Sequence, residues 1–315
     1  MKGLIYARKG EAQIISMEKP ACGEDTFLVQ NMFSAVSCGT ERNVILGGNY
    51  NRQGFPFLSL NYQMVAKVVE CGDKITKFKV GDIVYAGTFA GYVEYHLLKE
   101  SDLVVKIPEI PEAAYLGLAS VAYHTTAISG LNTYSNVLVM GAGILGQFIA
   151  QIAKAKGANV TIADVNESRL ELARSFHVNS AINCSENKLE GPLLIDNAPY
   201  DIVFETTGAK VLDEIIGTGF GTPSLMGYRS KLVLIAGRDF VEYVHNSGQE
   251  NEIEIIHTNH FNQKDLEAVL KLFLQEKIKI KPLVSKTIKL NDMPEMMTSL
   301  LQEPEKYMGI LVEYL

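Results

Sequence analysis

The sequence predicts an α/β protein in which a doubly wound parallel sheet is inserted into a domain built around a β-barrel. Three observations lead to this prediction: short β-runs between turn residues in the first hundred residues, strict strand-helix alternation in the middle, and strand-like runs near the end. Because 315 residues exceed the roughly 100 to 200 of a typical domain, we expect two domains. The barrel domain is expected to take residues 1–112 and 263–315, and the inserted domain residues 113–262.

The first hundred residues read as β-runs separated by Gly, Asn and Asp, a pattern typical of a small, irregular barrel. The runs are Phe27 to Val36, Met64 to Glu70, Ile83 to Ala86 and Tyr92 to Leu98. From about Pro108 the apolar spacing becomes helical and predicts a buried helix. The apolar residues of this helix are Ala113, Leu116, Leu118, Val121 and Ala122. A domain boundary is expected near it.

Strands and helices alternate after this point, and such an order predicts a parallel sheet. The predicted strands are Val137 to Met140, Asn159 to Ala163, Asp201 to Phe204, Lys231 to Ala236 and Glu252 to Thr258. The predicted helices are Ile144 to Lys156, Glu167 to Phe176 and Asn262 to Glu276. Strand-like runs at Thr287 to Leu290 and Gly309 to Glu313 are expected to return to the barrel domain.

The composition is that of an ordinary globular protein, with 47% hydrophobic and 21% charged residues. The net charge of −7 comes without a Lys/Arg cluster long enough to follow a phosphate backbone. This argues against nucleic acid and anionic membranes as partners, and a small-molecule substrate fits better.

The N-terminus lacks the apolar core of a signal peptide, and no apolar stretch approaches the length of a membrane span. We therefore expect a cytoplasmic protein. The four cysteines, Cys22, Cys38, Cys71 and Cys184, form no CxxC pair and have no zinc-knuckle spacing. Reduced thiols are expected for such a pattern.

A glycine-rich loop, Gly141-Ala142-Gly143-Ile144-Leu145-Gly146, lies between the first strand of the alternation and the helix after it. In a GxGxxG loop at this place, the first glycine permits a tight turn, the second lets a pyrophosphate approach the backbone, and the third allows close helix packing. Free backbone N–H groups at the helix start, including those of Ile144 and Leu145, attract phosphates. The loop therefore predicts a dinucleotide site.

The second strand of the alternation ends in Asp164, where the same fingerprint expects an acid that accepts hydrogen bonds from the adenosine ribose. A 2′-phosphate would meet repulsion from this carboxylate, no arginine follows at once, and Arg169 lies on the helix beyond. The sequence therefore predicts NAD in preference to NADP. In an alternative interpretation, Asp164 only caps the following helix.

The segment Cys71 to Val84 resembles the VG…V..F..GD.V stretch of the medium-chain dehydrogenase/reductase superfamily. Further likeness lies in the glycine loop and in Cys38-Gly39-Thr40-Glu41, Gly91-Tyr92-Val93-Glu94-Tyr95 and Phe204-Glu205-Thr206-Thr207-Gly208. The resemblance implies a zinc-type alcohol dehydrogenase-like fold, with a Rossmann domain inserted into a GroES-like barrel. It also implies that Thr206 and Gly237 contact the cofactor, and that the last Rossmann strand pairs with its copy in a homodimer.

Zinc-containing members of the superfamily place ligands at three positions, and this sequence keeps only the first, Cys38. Tyr62 stands where the histidine of a GHE motif is expected, and Gly117 falls at the third position. Because a catalytic zinc takes three protein ligands, we expect no metal. Recruitment of Glu41 or His124 as a ligand is the alternative.

The Gly39–Arg42 turn, the Tyr62-Gln63 pair and the short chain resemble the bacteriochlorophyllide hydroxyethyl dehydrogenase-like subgroup. This resemblance implies oxidation of a secondary alcohol, or the reverse reduction, on a substrate larger than ethanol. It does not identify a pigment.

Without a metal, a positioned side chain must move the proton of the alcohol. The resemblance places Thr40 beside the substrate oxygen and Tyr62 on the same cleft, where the two hydroxyls can form a relay. A tyrosine needs no tuning to act as an acid, so reduction is easier to explain than oxidation. Alternatively, Tyr62 only fills the zinc void, with its hydroxyl bonded to Gln63 or backbone.

Cys38 and Glu41 complete the candidate catalytic residues. Free cysteines are often small buried apolar residues, and little near Cys38 would lower its pKa, so a nucleophilic role is not expected. Glu41 and Arg42, adjacent in a predicted turn, either orient the substrate or pair with each other at the surface. His124, on a helix, is more simply structural.

The sequence leaves three functions open. The first is a zinc-independent, NAD-dependent alcohol/ketone oxidoreductase acting on a mid-sized, secondary-metabolite or sugar-like substrate. The second is a zinc-free quinone or enone C=C reductase that uses NADPH. The third is a non-catalytic NAD-binding protein, because a fold does not guarantee an activity.

Overall fold

The computed structural model describes residues 1–185, 194 and 196–314, which form two compact units. The barrel unit comprises Met1–Leu118, Asn262–Leu270 and Ile280–Leu315, and the sheet unit comprises Ala119–Phe261 and Lys271–Lys279. The structure thus differs from the expected assignment mainly in two places: residues 113–118 belong to the barrel unit, and residues 271–279 belong to the sheet unit. The reason for the second difference lies in the sheet unit, where the Gln151 side chain bonds both the N–H and the carbonyl of Lys279, at 2.7 and 3.2 Å.

The described elements alternate between β-rich ends and a strand-helix middle. The strands are β1 (Lys2–Arg8), β2 (Glu11–Ser16), β3 (Phe27–Val36), β4 (Phe57–Leu58), β5 (Met64–Cys71), β6 (Ile83–Ala86), β7 (Tyr95–Leu98), β8 (Val104–Lys106), β9 (Asn136–Met140), β10 (Asn159–Asp164), β11 (Ser180–Asn183), β12 (Tyr200–Glu205), β13 (Met226–Leu234), β14 (Glu254–His257), β15 (Val284–Lys289) and β16 (Gly309–Glu313). The helices are α1 (Cys38–Ile45), α2 (Leu116–Ile128), α3 (Ile144–Ala155), α4 (Glu167–Ser175), α5 (Leu212–Ile216), α6 (His245–Glu250), α7 (Gln263–Leu274) and α8 (Met293–Gln302).

The barrel unit contains a seven-stranded sheet in the order β15-β16-β3-β5-β6-β8, with β7 also paired to β3, and a three-stranded sheet in the order β2-β1-β4. The C-terminal strand β16 pairs antiparallel with β3, with Ile310 opposite Val36. The last segment of the chain thus completes a sheet that the first segment begins. Leu4, Val44, Ile45 and Met297 are among the fully buried side chains of its core.

The sheet unit contains six parallel strands in the order β11-β10-β9-β12-β13-β14. This is the order of doubly wound dinucleotide-binding sheets, in which ligands bind beyond the carboxyl ends of the strands where the order reverses. Here the reversal lies at β9, whose Val137 pairs with Val160 on one side and Ile202 on the other. The predicted fold class is confirmed.

Two local predictions for the barrel were wrong. The segment expected as a turn at Gly39–Arg42 belongs to α1, where the Glu41 N–H donates to the carbonyl of Ser37 at 2.9 Å. Burial of Val44 and Ile45 stabilises this helix although glycine disfavours helices. The strand expected from Tyr92 begins only at Tyr95, because the Tyr92 N–H donates to a side chain, Ser59 Oγ, at 3.0 Å.

Within the described part of the chain, no helix has both the length and the apolar character needed to cross a lipid bilayer. Strand β14 lies at the edge of the described six-stranded sheet. Pairing of this edge between two copies remains a prediction.

Candidate functional site

The glycine loop forms a tight turn between β9 and α3. The Gly141 N–H donates to the carbonyl of Ala163 at the end of β10, at 2.8 Å. A Cβ at position 146 would lie 1.9 Å from the Gly141 carbonyl oxygen, so only glycine allows α3 to start this close to the loop. A Cβ at position 143 would meet no protein atom within 4 Å. The backbone at Gly143 is therefore open to a ligand, and this open side suits a pyrophosphate.

Asp164 lies beside this loop at the carboxyl end of β10. Its Oδ2 accepts the Ala142 N–H at 2.6 Å, and its Oδ1 accepts the Asn166 N–H at 2.8 Å. The alternative that Asp164 caps the next helix is wrong, because the N-cap of α4 is Asn166, whose Oδ1 accepts the N–H groups of Ser168 and Arg169. A carboxylate oxygen accepts more than one hydrogen bond, so Asp164 keeps acceptor capacity for ribose hydroxyls.

Thr206 follows β12 and is held against the glycine loop. Its N–H and its Oγ1 both donate to the carbonyl of Met140, at 3.0 and 2.7 Å. Gly237 lies exposed just beyond β13. The predicted cofactor residues in the glycine loop, Asp164, Thr206 and Gly237 thus all lie at the carboxyl edge of one sheet.

In the barrel unit a chain of three hydroxyls connects two of the candidate catalytic residues. The buried Tyr62 hydroxyl donates to Ser37 Oγ at 3.3 Å, and Ser37 Oγ donates to Thr40 Oγ1 at 2.9 Å. Ser37 precedes α1 but its side chain does not cap that helix, so its hydroxyl serves this chain instead. Thr40 is the half-buried end of the chain. Sequence reasoning missed Ser37, although it directly precedes Cys38.

The Tyr62 phenol has a raised pKa, mainly because it is buried, while hydrogen bonds with Ser37 and Thr40 act in the opposite direction. Its ring lies 5.3 Å from that of Phe89, tilted by 53°. Phe89 is 59% exposed. The Tyr62 phenol is therefore protonated at neutral pH and lies beside a largely exposed aromatic ring.

Gln63 stands where the resemblance implies the carboxylate of the GHE motif, and Gly117 stands at the third implied ligand position. The buried Gln63 side chain accepts the Leu118 N–H at 3.0 Å and donates to the Ala35 carbonyl at 3.3 Å. A Cβ at Gly117 would lie 2.3 Å from the Tyr85 hydroxyl oxygen, so a larger residue does not fit without movement. These replacements do not supply the thiolate, imidazole or carboxylate ligands of zinc.

Cys38 and His124 lie in different surroundings. The half-buried Cys38 Sγ lies 3.8 Å from the Val36 carbonyl oxygen and 4.0 Å from that of Met308. His124 is half-buried on α2, in the sheet unit. Among the residues that the structure describes, no group of three or more His, Cys, Asp or Glu side chains has the arrangement of a metal site.

Glu41 is fully buried in the barrel, so the alternative of a surface pair with Arg42 is wrong. Its Oε2 accepts the Tyr6 hydroxyl. Burial raises the pKa of Glu41 to about 7, against the opposing effect of the Tyr6 and Tyr92 hydroxyls and nearby backbone N–H groups. The carboxyl group therefore lies inside the core that supports α1, whereas Thr40, the half-buried end of the hydroxyl chain, is more accessible.

Comparison with known proteins agrees with the fold. A family model described as Zinc-binding dehydrogenase matches residues 145–274. Sorbitol dehydrogenase 1 of Saccharomyces cerevisiae is 24% identical over 273 residues, which cover 74% of this chain and 75% of the yeast enzyme. L-threonine 3-dehydrogenase of Pseudoalteromonas translucida is 31% identical over 226 residues, 60% of this chain and 65% of that enzyme.

Solved structures with the same fold cover nearly the whole chain. An alcohol dehydrogenase of E. coli CFT073, solved in complex with NADH, has a TM-score of 0.87 at 18% identity and covers 100% of this chain and 99% of its own. The 2R,3R-butanediol dehydrogenase of Bacillus subtilis has a TM-score of 0.86 at 20% identity, with the same coverage. At these identities the likeness concerns the fold.

Together these comparisons support placing the chain in the medium-chain dehydrogenase/reductase superfamily, in the zinc-type alcohol dehydrogenase-like group. It is a dehydrogenase of the medium-chain type that uses a nicotinamide cofactor. The predicted family and enzyme class are confirmed. The finer resemblance to bacteriochlorophyllide hydroxyethyl dehydrogenases stays a prediction.

Gly143→Ala tests the open side of the glycine loop. The methyl group meets no protein atom within 4 Å, so the melting temperature should stay unchanged. NADH affinity should fall roughly tenfold or more, as expected when the pyrophosphate loses a charged hydrogen bond of about 1.5 kcal/mol. Gly219→Ala, in the same unit with its nearest neighbour 3.9 Å away, is the control for fluorescence titration. Unchanged NADH affinity in Gly143→Ala would place the pyrophosphate elsewhere.

Glu41→Gln tests the buried carboxyl group. A folded-state pKa of about 7, above the usual 4.5, means that the folded protein binds the proton more tightly. The contribution of this carboxyl group to stability is then fully present below pH 4.5 and is lost as the pH rises through about 7, by about 3 kcal/mol at about 1.4 kcal/mol per pKa unit. The free energy of unfolding of Glu41→Gln, measured in urea at pH 5 and pH 8, should lack this pH dependence. Glu24→Gln, which replaces an exposed glutamate, should keep it. Equal pH dependence in all three proteins contradicts the assignment.

Proposed function

We propose that the protein is a zinc-independent, NAD(H)-dependent oxidoreductase that interconverts a secondary alcohol and a ketone. The observation that carries the proposal is the hydroxyl chain from Tyr62 through Ser37 to Thr40, which begins at a position where the resemblance implies a zinc ligand. The alcohols named for similar proteins, sorbitol, threonine and butanediol, all contain a secondary hydroxyl group. A mid-sized substrate, such as a secondary metabolite or a sugar-like compound, fits this class of reaction.

The direction of the hydrogen bonds supports proton donation to a carbonyl oxygen. Tyr62 donates to Ser37 and Ser37 donates to Thr40, which leaves the Thr40 hydroxyl proton available for an outside acceptor. The nicotinamide, when bound, supplies the hydride that turns the carbonyl carbon into an alkoxide. The three hydroxyls can then pass one proton to that alkoxide, and Tyr62 ends as the phenolate.

The electrostatics of Tyr62 favour reduction as the easier direction. Burial raises the pKa of the phenol, so it holds its proton at neutral pH and is a poor base for an alcohol. An alkoxide is nevertheless a stronger base than a phenolate, so proton transfer from Tyr62 to a newly formed alkoxide is downhill. In the oxidative direction the buried phenolate must form first, which requires a high pH.

The residues at the former ligand positions support a mechanism without zinc. Tyr62 is a protonated phenol, the Gln63 amide bonds to the backbone on both sides, and Gly117 has no side chain. Cys38 is the remaining thiol, and a single thiolate does not make a zinc site. The hydroxyl chain thus takes over the proton transfer that polarisation by a metal assists in other enzymes.

Asp164 supports NAD as the cofactor. Its carboxylate lies at the carboxyl end of β10 beside the glycine loop, where it can accept ribose hydroxyls and repel a 2′-phosphate. Both effects favour NAD over NADP, because a negative charge at this place opposes a second one.

Tyr62→Phe tests the proton donor. Loss of the hydroxyl should lower kcat for NADH-dependent ketone reduction roughly 10²- to 10⁴-fold, the usual size of a general-acid effect. The NADH dissociation constant should not change. Tyr314→Phe is the matched control. It also removes a tyrosine hydroxyl, which is bonded to Ser34 Oγ at 3.0 Å and does not belong to the Tyr62–Ser37–Thr40 hydroxyl chain.

The substrate panel for this experiment should contain secondary alcohols, ketones, enones and quinones. Equal kcat in Tyr62→Phe and Tyr314→Phe would remove Tyr62 from the mechanism. Turnover confined to enones and quinones with NADPH would replace the proposed reaction by C=C reduction. Tight NADH binding without turnover on any member would indicate a binding protein.

Asp164→Ser tests cofactor choice. Loss of the carboxylate should lower the ratio of NADH to NADPH affinity about tenfold or more, since ribose hydrogen bonds disappear and repulsion of the 2′-phosphate ends. Asp201→Ser is a close control: Asp201 also accepts a backbone N–H, that of Asn136 at 2.7 Å, but at the start of β12. Tighter NADPH than NADH binding in the unaltered protein would contradict the proposal.

A further inference from the structure

A second carboxylate of the sheet unit, Glu205, is fully buried at the end of β12. One of its oxygens, Oε2, pairs with the guanidinium of Arg238, which follows β13. The Arg238 side chain is 13% exposed, and its Nε also donates to the carbonyl of Ala236 at 3.3 Å. The pair therefore connects the ends of two neighbouring strands in a site nearly closed to water.

The other oxygen of Glu205 organises the turn after β12. Oε1 accepts the N–H groups of Thr207 and Gly208 at 2.7 and 2.9 Å, and also the Thr207 hydroxyl. Three donors on one oxygen fix this turn in a single arrangement. Arg238 pairs with the other oxygen, so its guanidinium balances the negative charge of Glu205. The turn depends on this carboxylate for its hydrogen bonds.

The turn held by Glu205 lies against the glycine loop. A Cβ at Gly141 would be 2.5 Å from Thr206 Oγ1 and 2.9 Å from Thr207 Cγ2. Thr206 is bonded in turn to the carbonyl of Met140, the last residue of β9. A displaced turn would therefore disturb the end of β9 and the surface beside it.

This turn and the end of β13 lie on one side of β9, and β10 with Asp164 lies on the other. In a doubly wound sheet the two mononucleotide halves of a dinucleotide bind on opposite sides of this reversal point. The adenosine half belongs on the Asp164 side. The nicotinamide half consequently belongs over the ends of β12 and β13, beside the turn and Arg238.

We propose that Arg238 is a positioning residue for the nicotinamide half of the cofactor site, acting through Glu205 on the Thr206–Gly208 turn. The inference rests on the proposed function for the identity of the cofactor. Removal of the guanidinium leaves a buried carboxylate without a counter-charge, a costly state that relaxes by protonation or by movement of the carboxylate. Either change releases the turn. Lysine keeps the charge but lacks the planar fork that reaches Glu205 and the Ala236 carbonyl together.

The test is titration of NADH and of ADP against Arg238→Gln and Arg238→Lys. ADP carries the adenosine and the pyrophosphate but no nicotinamide. We expect the NADH dissociation constant of Arg238→Gln to rise about tenfold or more, while that of ADP stays within about twofold. Arg238→Lys should recover part of the NADH affinity. Arg229→Gln is the control, because Arg229 also lies on β13 but forms an exposed pair with Glu252 at 3.4 Å.

The comparison of the two probes separates positioning from a general loss of structure. If Arg238→Gln weakens NADH and ADP equally, or weakens neither, Arg238 does not position the nicotinamide half. If Arg238→Gln does not fold, the same comparison is made on Arg238→Lys, where equal loss of both probes overturns the proposal and selective loss of NADH supports it. Failure of the unaltered protein to bind NADH would instead reject the proposed function.

Discussion

The cofactor site depends on one steric constraint, the close approach of helix α3 to the turn that precedes it. The carbonyl oxygen of Gly141 occupies the space where a side chain at Gly146 would begin, 1.9 Å from the Cβ position. This contact puts the N-terminus of α3 at the carboxyl edge of the sheet and leaves the backbone at Gly143 open. Asp164 and Thr206 bond to the loop and to the end of β9, and hold this arrangement from both sides.

In the proposed function, the barrel unit must move a proton without help from a Lewis acid. Tyr62 contributes a phenol that burial keeps protonated, and Ser37 and Thr40 lead from it to a half-buried hydroxyl. Neutral hydroxyls suit this place, because a charged ligand set without its metal would be costly to bury. Glu41 is also buried in this unit, and burial of a full charge is avoided there because its pKa is raised to about 7. Its carboxyl group also accepts a hydrogen bond from the hydroxyl of Tyr6.

Local sequence patterns predicted the sheet unit well and the barrel less well. The order of strands and the glycine loop depend on apolar runs and short spacings, and so does the position of Asp164. Helix α1 was missed because Gly39 disfavours a helix, which forms here through burial of its far end. The hydrogen bond between Tyr6 and Glu41 spans 35 residues, and the ion pair of Glu205 with Arg238 spans 33. Contacts so distant in sequence leave no local pattern, so these charges could not be placed.

In the proposed function, the protein transfers hydride with NADH at a site where hydroxyl groups replace zinc. The most direct measurement is the zinc content of the purified protein, determined on the same sample as NADH-dependent ketone reduction before and after treatment with a chelator. We expect zinc far below one ion per chain and a rate of ketone reduction that the chelator does not change. One zinc per chain, with loss of the rate when the zinc is removed, would show that a metal and not the hydroxyl chain supports the reaction.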